Sequence, residues 1–345
     1  MDKQLFWKRI SGLILLALLL GVMIFNRQRP FLQAANQPAA SAACPIFPAD
    51  HIWNTAVDTL PVDLRSNAYI AAIGLDTTFH PDFGSGDWPP GSGNLIGIPY
   101  TVVGAGQPAV PIVYTAYGSE SDPGPFPIPP DAPVEGGSDH HVLVVDDANC
   151  VLYELYNAVR IGGGTSWEAD SGAQFNLAGY TLRPAGWTSA DAAGLPIFPG
   201  LVRYDEVQSG EIKHALRFTA PRTQNSYLWP ARHFAGSDDP ALPPMGLRLR
   251  LKASVDISGY PAEARVILQA MKTYGLILAD NGSPWYISGA PDSRWDNDAL
   301  ASAFGDIQGS DFEAVNTALL QIDPDSGQTR PFTPQTAAFL PSLQR

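Results

Sequence analysis

Cysteine and charge are the scarce features of this 345-residue chain: it has 2 Cys, and only 16% of its residues are Asp, Glu, Lys or Arg. Basic residues are the scarcer sign, 21 against 34 acids, giving a formal charge of −13. That balance argues against general nucleic-acid binding, which leans on a basic footprint. Catalytic signatures are missing as well. There is no G-x-S-x-G, H-E-x-x-H, C-x-x-C or P-loop, and no G-x-G-x-x-G after a strand. The serine-hydrolase, zincin, thioredoxin and nucleotide-binding classes therefore lose their usual marks. Asp323-Pro324-Asp325-Ser326-Gly327 opens like a calcium loop, but its twelfth position is Pro334 rather than Glu. Regular strand–helix alternation is also missing, which removes the Rossmann and barrel readings.

What is plentiful is Gly and Pro, 32 of each, well above their usual combined share of about 12%. With 45% hydrophobic residues the chain can bury a sizeable core, so global disorder is excluded. Several segments alternate with period two and read as strands: 100–103, 112–117, 141–145, 151–158, 212–219 and 247–255. In the last of these, Leu247, Leu249, Leu251, Ala253 and Val255 share one face and Arg248, Arg250, Lys252 and Ser254 the other. Residues 261–274 repeat instead at helical spacing, with Gly275 as a stop. Asp280-Asn281-Gly282-Ser283 between two apolar runs predicts a hairpin. The pattern predicts a mainly β fold, an antiparallel β-sandwich or jelly-roll with long Gly/Pro-rich loops and one or two helices.

The N-terminus carries an address. Ile10 to Phe25 is uncharged, preceded by Lys3, Lys8 and Arg9 and followed by Arg27 and Arg29. The run is slightly short of the roughly 20 residues of a full span. Two readings stand: a retained signal anchor with a cytoplasmic residue 1–9 segment, or a signal peptide cut within 34–43. Either one exports the chain beyond a 26–43 linker, as a single β-rich domain at 44–322 and a loose tail at 323–345. Removing residues 1–43, which hold five basic residues and one acid, leaves 16 basic against 33 acidic, or −17. In an oxidising compartment Cys44 and Cys150 are expected to pair.

Candidate chemistry rests on histidines and carboxylates. His140 and His141 follow Glu135 and Asp139, and in an extended chain their rings point to opposite faces. One of them beside Glu135 or Asp139 forms an acid/base or metal pair; otherwise both serve a strand entry. His214 falls among Ile212, Leu216 and Phe218 on an apolar face, and is a base only where that face lines a cleft. His233 has Trp229 and Arg232 as close neighbours in sequence. Carboxylates of interest are Glu135, Glu154, Asp191, Asp205, Glu206 and Asp280; Glu154 shares a strand face with Leu152 and Tyr156, which favours a raised pKa. Glycoside hydrolysis needs two carboxyls about 5–5.5 Å apart for retention or about 6.5–9.5 Å for inversion. Glu135, His140, His141, Asp191, His214, His233 and Asp280 form the candidate catalytic pool.

Exposed indole faces beside carboxylates suit sugar rings, so Trp187, Trp229 and Trp295 are candidate substrate contacts. Arg248 and Arg250 either pair internally or line a groove for an acidic polysaccharide.

The runs Gly186-Trp187-Thr188-Ser189-Ala190-Asp191-Ala192-Ala193-Gly194-Leu195-Pro196, Gly210–Thr219, Trp229–His233 and Ala279-Asp280-Asn281-Gly282 resemble a family of exported bacterial proteins with no established activity. The resemblance spans Cys44 to Val315. It implies one exported domain and transfers no catalytic role. The expected function is a membrane-anchored extracytoplasmic domain acting on polysaccharide or cell-envelope glycan, as a hydrolase or lyase without metal or cofactor. A non-catalytic glycan-binding or envelope structural domain is the alternative.

Overall fold

A computed structural model describes residues 44–332, all within one compact unit. The expected anchor or signal peptide, the whole linker and residues 333–345 lie outside the described residues. Among the described residues no helix is long and apolar enough to cross a membrane.

The period-two segments become strands, mostly shortened at their ends. In chain order the strands are β1 (His80–Asp82), β2 (Tyr100–Val103), β3 (Ile112–Tyr114), β4 (Val142–Asp146), β5 (Val151–Tyr156), β6 (Val159–Ile161) and β7 (Ser166–Ala169). They continue with β8 (Ser171–Asn176), β9 (Leu216–Ala220), β10 (Arg248–Leu251), β11 (Leu276–Asn281), β12 (Tyr286–Ser288) and β13 (Phe312–Val315). Helices α1 (Ser66–Ile73), α2 (Tyr204–Ser209), α3 (Ala262–Thr273) and α4 (Asn297–Gly305) are more than the one or two expected. Among the described residues strand still outweighs helix, 26% to 16%, so the fold is mainly β.

The sheets are mixed rather than antiparallel. The six-stranded sheet runs β1-β12-β9-β11-β10-β13, the four-stranded sheet β2-β4-β5-β8 and the three-stranded sheet β3-β7-β6. Parallel pairs β1/β12, β9/β11, β2/β4 and β3/β7 stand beside antiparallel ones. The hairpin expected at 280–283 does not form. β11 and β12 flank β9 on opposite sides, so the turn crosses over that strand's end.

Side-chain alternation explains the layering. Leu143, Val145, Leu152, Ala173 and Phe175 of the four-stranded sheet join the core built with the six-stranded sheet. Val142, Val144 and Leu155, on the opposite face, pack with Trp167 and Ala169 of the three-stranded sheet. Strand β4 is therefore buried along its whole length. Helix α3 ends as expected at Gly275, whose N–H bonds Ala270 O at 3.0 Å with φ of +71°. A Cβ there would lie 2.1 Å from Leu249 O, so only Gly lets the strand pass.

Cys44 and Cys150 form the disulfide, with Cα atoms 5.3 Å apart and a sequence separation of 106. Residues 323–332, expected in the tail, instead pack back. Ile52 N–H bonds Gly327 O, and Arg232 pairs with Asp325.

Candidate functional site

Strand β9 is buried throughout, with Leu216, Phe218 and Ala220 on one face and Arg217 and Thr219 on the other. Its parallel register with β11 runs Phe218 to Leu278 and then Thr219 to Asp280, leaving Ala279 as a bulge. Without that extra residue Asp280 would face the apolar side. The bulge turns it onto the face of Arg217. Antiparallel β12 adds Ser288 to this face, and β1 adds Asp82 opposite Ser288 and His80 opposite Tyr286. One end of the six-stranded sheet thus presents a polar floor.

Loop 187–195 supplies the next carboxylate. Asp191 N–H bonds Ser189 Oγ at 2.9 Å, and the Thr188 and Ser189 hydroxyls donate to Asp191 O. Gly194 closes the turn with φ of +67°, where a Cβ would lie 2.5 Å from Trp187 O. Ala193 N–H then bonds Ala279 O at the bulge, 3.0 Å. The small-residue, hydroxyl-rich run 188–194 is what lets this turn fold so tightly.

Arg217 sits at the centre. Its Nε donates to both Asp191 carboxylate oxygens at 3.0 and 2.8 Å, Nη2 also donates to Asp191 Oδ1, and Nη1 donates to Ser288 Oγ at 2.5 Å. Asp280 Oδ2 lies 3.5 Å from Nη2. The Asp191 side chain is 0% exposed, whereas Asp280 retains 18%. Burial first, and then the charge of Asp191, push Asp280 up to about 8. Arg217 is held above its ordinary value by Asp191 despite burial.

His141 forms the opposite wall at the entry to β4. Its Nδ1 donates to Glu135 Oε2 at 2.5 Å and its Nε2 to Ala190 O at 3.0 Å. Both ring nitrogens face acceptors, so the ring is held as imidazolium. Burial opposes the charge, but Glu135 outweighs it and raises His141 to about 9. Glu135 is likewise drawn below its ordinary value against burial. Tyr156 packs 5.8 Å from the His141 ring. Behind the cluster, fully buried Glu154 accepts Ile197 and Phe198 N–H at 3.0 and 2.9 Å. Burial lifts it to about 7, the Asp191 charge adding to the effect. At the mouth Asp82 is raised, mainly by desolvation, against the pull of His80.

The cluster can therefore offer a protonated carboxyl at a solvent edge, backed by a fixed guanidinium and an imidazolium. Asp191 and Asp280 are themselves hydrogen-bonded. That contact is closer than either separation used in two-carboxylate glycoside hydrolysis.

Of the candidate pool, the structure brings together Glu135, His141, Asp191 and Asp280. His140 turns away with φ of +46° and lies 3.5 Å from Asn157 Oδ1. His214 precedes β9 rather than lying within it. Its Nδ1 donates to Ala215 O, and its Nε2 lies 2.8 Å from Arg203 Nη2 and 3.1 Å from Glu206. His233 donates to Ala192 O at 2.8 Å and lies 3.7 Å from Glu120. Each histidine has its own partners, and among the described residues no group of three or more His, Cys, Asp or Glu could hold a metal ion.

Expected substrate contacts divide. Arg248 is 1% exposed and donates to Tyr274 O and Ile52 O. Arg250 pairs with Glu313 and donates to the carbonyls of Val57, Asp58 and Leu60. Segment 52–60 covers Arg248 and caps Arg250, which still lines a cavity of about 240 Å³ with Asp58, Lys272 and Glu313. Trp295 is a core residue, 3% exposed, packed on Phe83 and Tyr204. Trp187 is half-buried beside Arg183, and Trp229 lines a cavity.

Asp82, His80, Ser288 and Tyr156 were not singled out by the sequence as site residues. Arg217 was not among the candidate site residues either. Period-two alternation placed Arg217 on the correct face, but the long-range register that surrounds it has no local signal. No family model, curated protein or solved structure matches this chain.

Proposed function

We propose that this chain is an exported domain that acts on polysaccharide by general acid–base chemistry at the Glu135–His141 and Asp191–Arg217–Asp280 cluster. The observation that carries the reading is Asp280: a carboxyl holding its proton to about pH 8 while its edge still reaches solvent. A proton donor of this kind serves a leaving glycosidic oxygen. Arg217 and the His141 imidazolium supply positive charge where negative charge develops. For hydrolysis, the water that attacks the anomeric carbon gives its proton to a second carboxylate, and Asp82, on the same sheet face beside Ser288, is the candidate for that role. The Cys44–Cys150 disulfide supports an oxidising compartment, in keeping with export through the N-terminal segment.

The test is to incubate the purified full chain and its Asp280→Asn variant with a broad glycan panel. Release of reducing ends, or of unsaturated products, by the wild type and its loss in the variant are expected. No product from any glycan sinks the proposal. Binding without turnover moves the chain to the non-catalytic glycan-binding reading.

A further inference from the structure

A cavity of about 430 Å³ lies away from the acid cluster, between loop 226–232 and segment 315–325. Tyr227, Leu228 and Trp229 line one side, with Leu228 40% exposed. Asp63, Asn316 and Gln321 contribute polar groups around it. The size falls within the 300–1,000 Å³ or so of small-molecule sites.

The aromatic side is fixed in place. Trp229 Nε1 donates to Ser326 O at 2.9 Å, and Tyr227 stacks on Phe234 with centroids 6.2 Å apart. Leu228 N–H bonds Met245 O at 2.8 Å, and Gly246 lies so close beneath that a Cβ would sit 2.2 Å from Leu228 O. The rim, by contrast, has spare hydrogen-bonding capacity. Asn316 uses Oδ1 to cap Ala318 N–H, while among the described residues neither its Nδ2 nor the Gln321 side-chain amide has a partner within the chain.

We propose that this cavity is a carbohydrate-binding site for one or two units of a neutral glycan, separate from the acid–base cluster. Aromatic faces meet the C–H faces of a sugar ring, and free amides and carboxylates meet its hydroxyls. Charge selects against acidic sugars. The lining cation, Arg232, is already committed to Asp325, Pro324 O and Arg183 O, which leaves Asp63 facing the cavity. The bordering backbone is also occupied, with Leu228 N–H on Met245 O and Asn316 N–H on Pro61 O, so an extended peptide finds no strand to extend.

The inference does not depend on catalysis. Calorimetric titration of the full chain with cellotetraose, xylotetraose and chitotetraose is expected to show saturable binding of at least one. A galacturonate tetramer should bind at least tenfold more weakly. Asp280→Asn should bind equally well, which separates this site from the cluster. Tyr227→Ala and the exposed-rim variant Asn316→Ala should each weaken binding by about tenfold or more. If Tyr227→Ala unfolds, Asn316→Ala and Gln321→Ala carry the test. Binding of no neutral tetramer overturns the proposal, as does binding indifferent to all three substitutions, or tighter binding of the uronate or of a peptide.

Discussion

Asp280 Oδ2 lies 3.5 Å from Arg217 Nη2, on the same guanidinium that Asp191 grips through three hydrogen bonds. One cation thus faces two carboxyls. Fully buried Asp191 takes the charge, and Asp280, hydrogen-bonded to it, keeps the proton. The bulge at Ala279 makes this sharing possible, because it sets Asp280 opposite Thr219 instead of Ala220.

Activity on a responsive glycan should follow that proton. Only the protonated Asp280 donates, so kcat/KM should fall as pH rises through about 8. Asp280→Asn should lower turnover by about 100-fold or more while leaving the fold intact. A pH–rate profile of both proteins decides it; an unchanged alkaline limb in the variant removes Asp280 as the donor.

Stability should decline over the same range. Asp280 and His141 have folded values of about 8 and about 9, above their ordinary 3.8 and 6.5. Between pH 6.5 and 8 the native state therefore holds protons that the unfolded chain has released. By linkage, stability falls with rising pH across that window, and the His141 share is gone by about pH 9. Asp280→Asn should remove one proton from the dependence and flatten the slope. Thermal melts at half-unit pH steps will show whether it does.

Removing Asp191 should be costly. Asp191→Asn leaves the Arg217 charge buried without a full counter-ion, a change that typically costs about 3–5 kcal/mol. Replacing both together, as Asp191→Leu with Arg217→Met, should cost less than the single change. Urea unfolding of the two variants gives the comparison, and equal losses would argue that the pair is not electrostatically coupled.

The disulfide should matter more than its solitary place suggests. It joins residues 106 apart in sequence, and loss of such a cross-link typically costs about 2–5 kcal/mol. Cys150→Ser should lower the melting temperature accordingly, with wild type in reductant shifting in parallel.

Trp295→Ala separates core from surface. Its indole packs on Phe83 and Tyr204 and donates to Ala290 O. Truncation should cost about 3–5 kcal/mol through the cavity left behind. Oligosaccharide binding at the Trp229 cavity should be unaltered in the folded fraction, as titration will report.

Local periodicity made some of this legible. Alternation located β2, β4, β5 and β10, and helical spacing with Gly275 located α3. Glu154 was read correctly as facing the core, and Cys44 as the partner of Cys150. Misreadings arose where long-range contacts override local pattern. Alternation separates the faces of β10 but is silent on coverage, so it left internal pairing and a groove both open for Arg248, which segment 52–60 covers. The hairpin at 280–283 had the right residues, yet β9 inserts between its expected arms. Within the site, Glu135, His141, Asp191 and Asp280 were each nameable. Their meeting around Arg217 depends on a parallel register and a bulge that no short window contains.

The burial of β4 on both faces also acts through time. All five of its residues are buried, with β2 on one edge and β5 on the other. Such a segment exchanges its amide protons only when the whole domain opens, while edge strands and loops exchange through smaller fluctuations. His141 sits immediately before it, so the imidazolium is moored to a strand buried along its whole length. Glu135 is tied to the same residue, its N–H on His141 O at 2.9 Å and its carboxylate on His141 N–H, so the ion pair shares that anchorage.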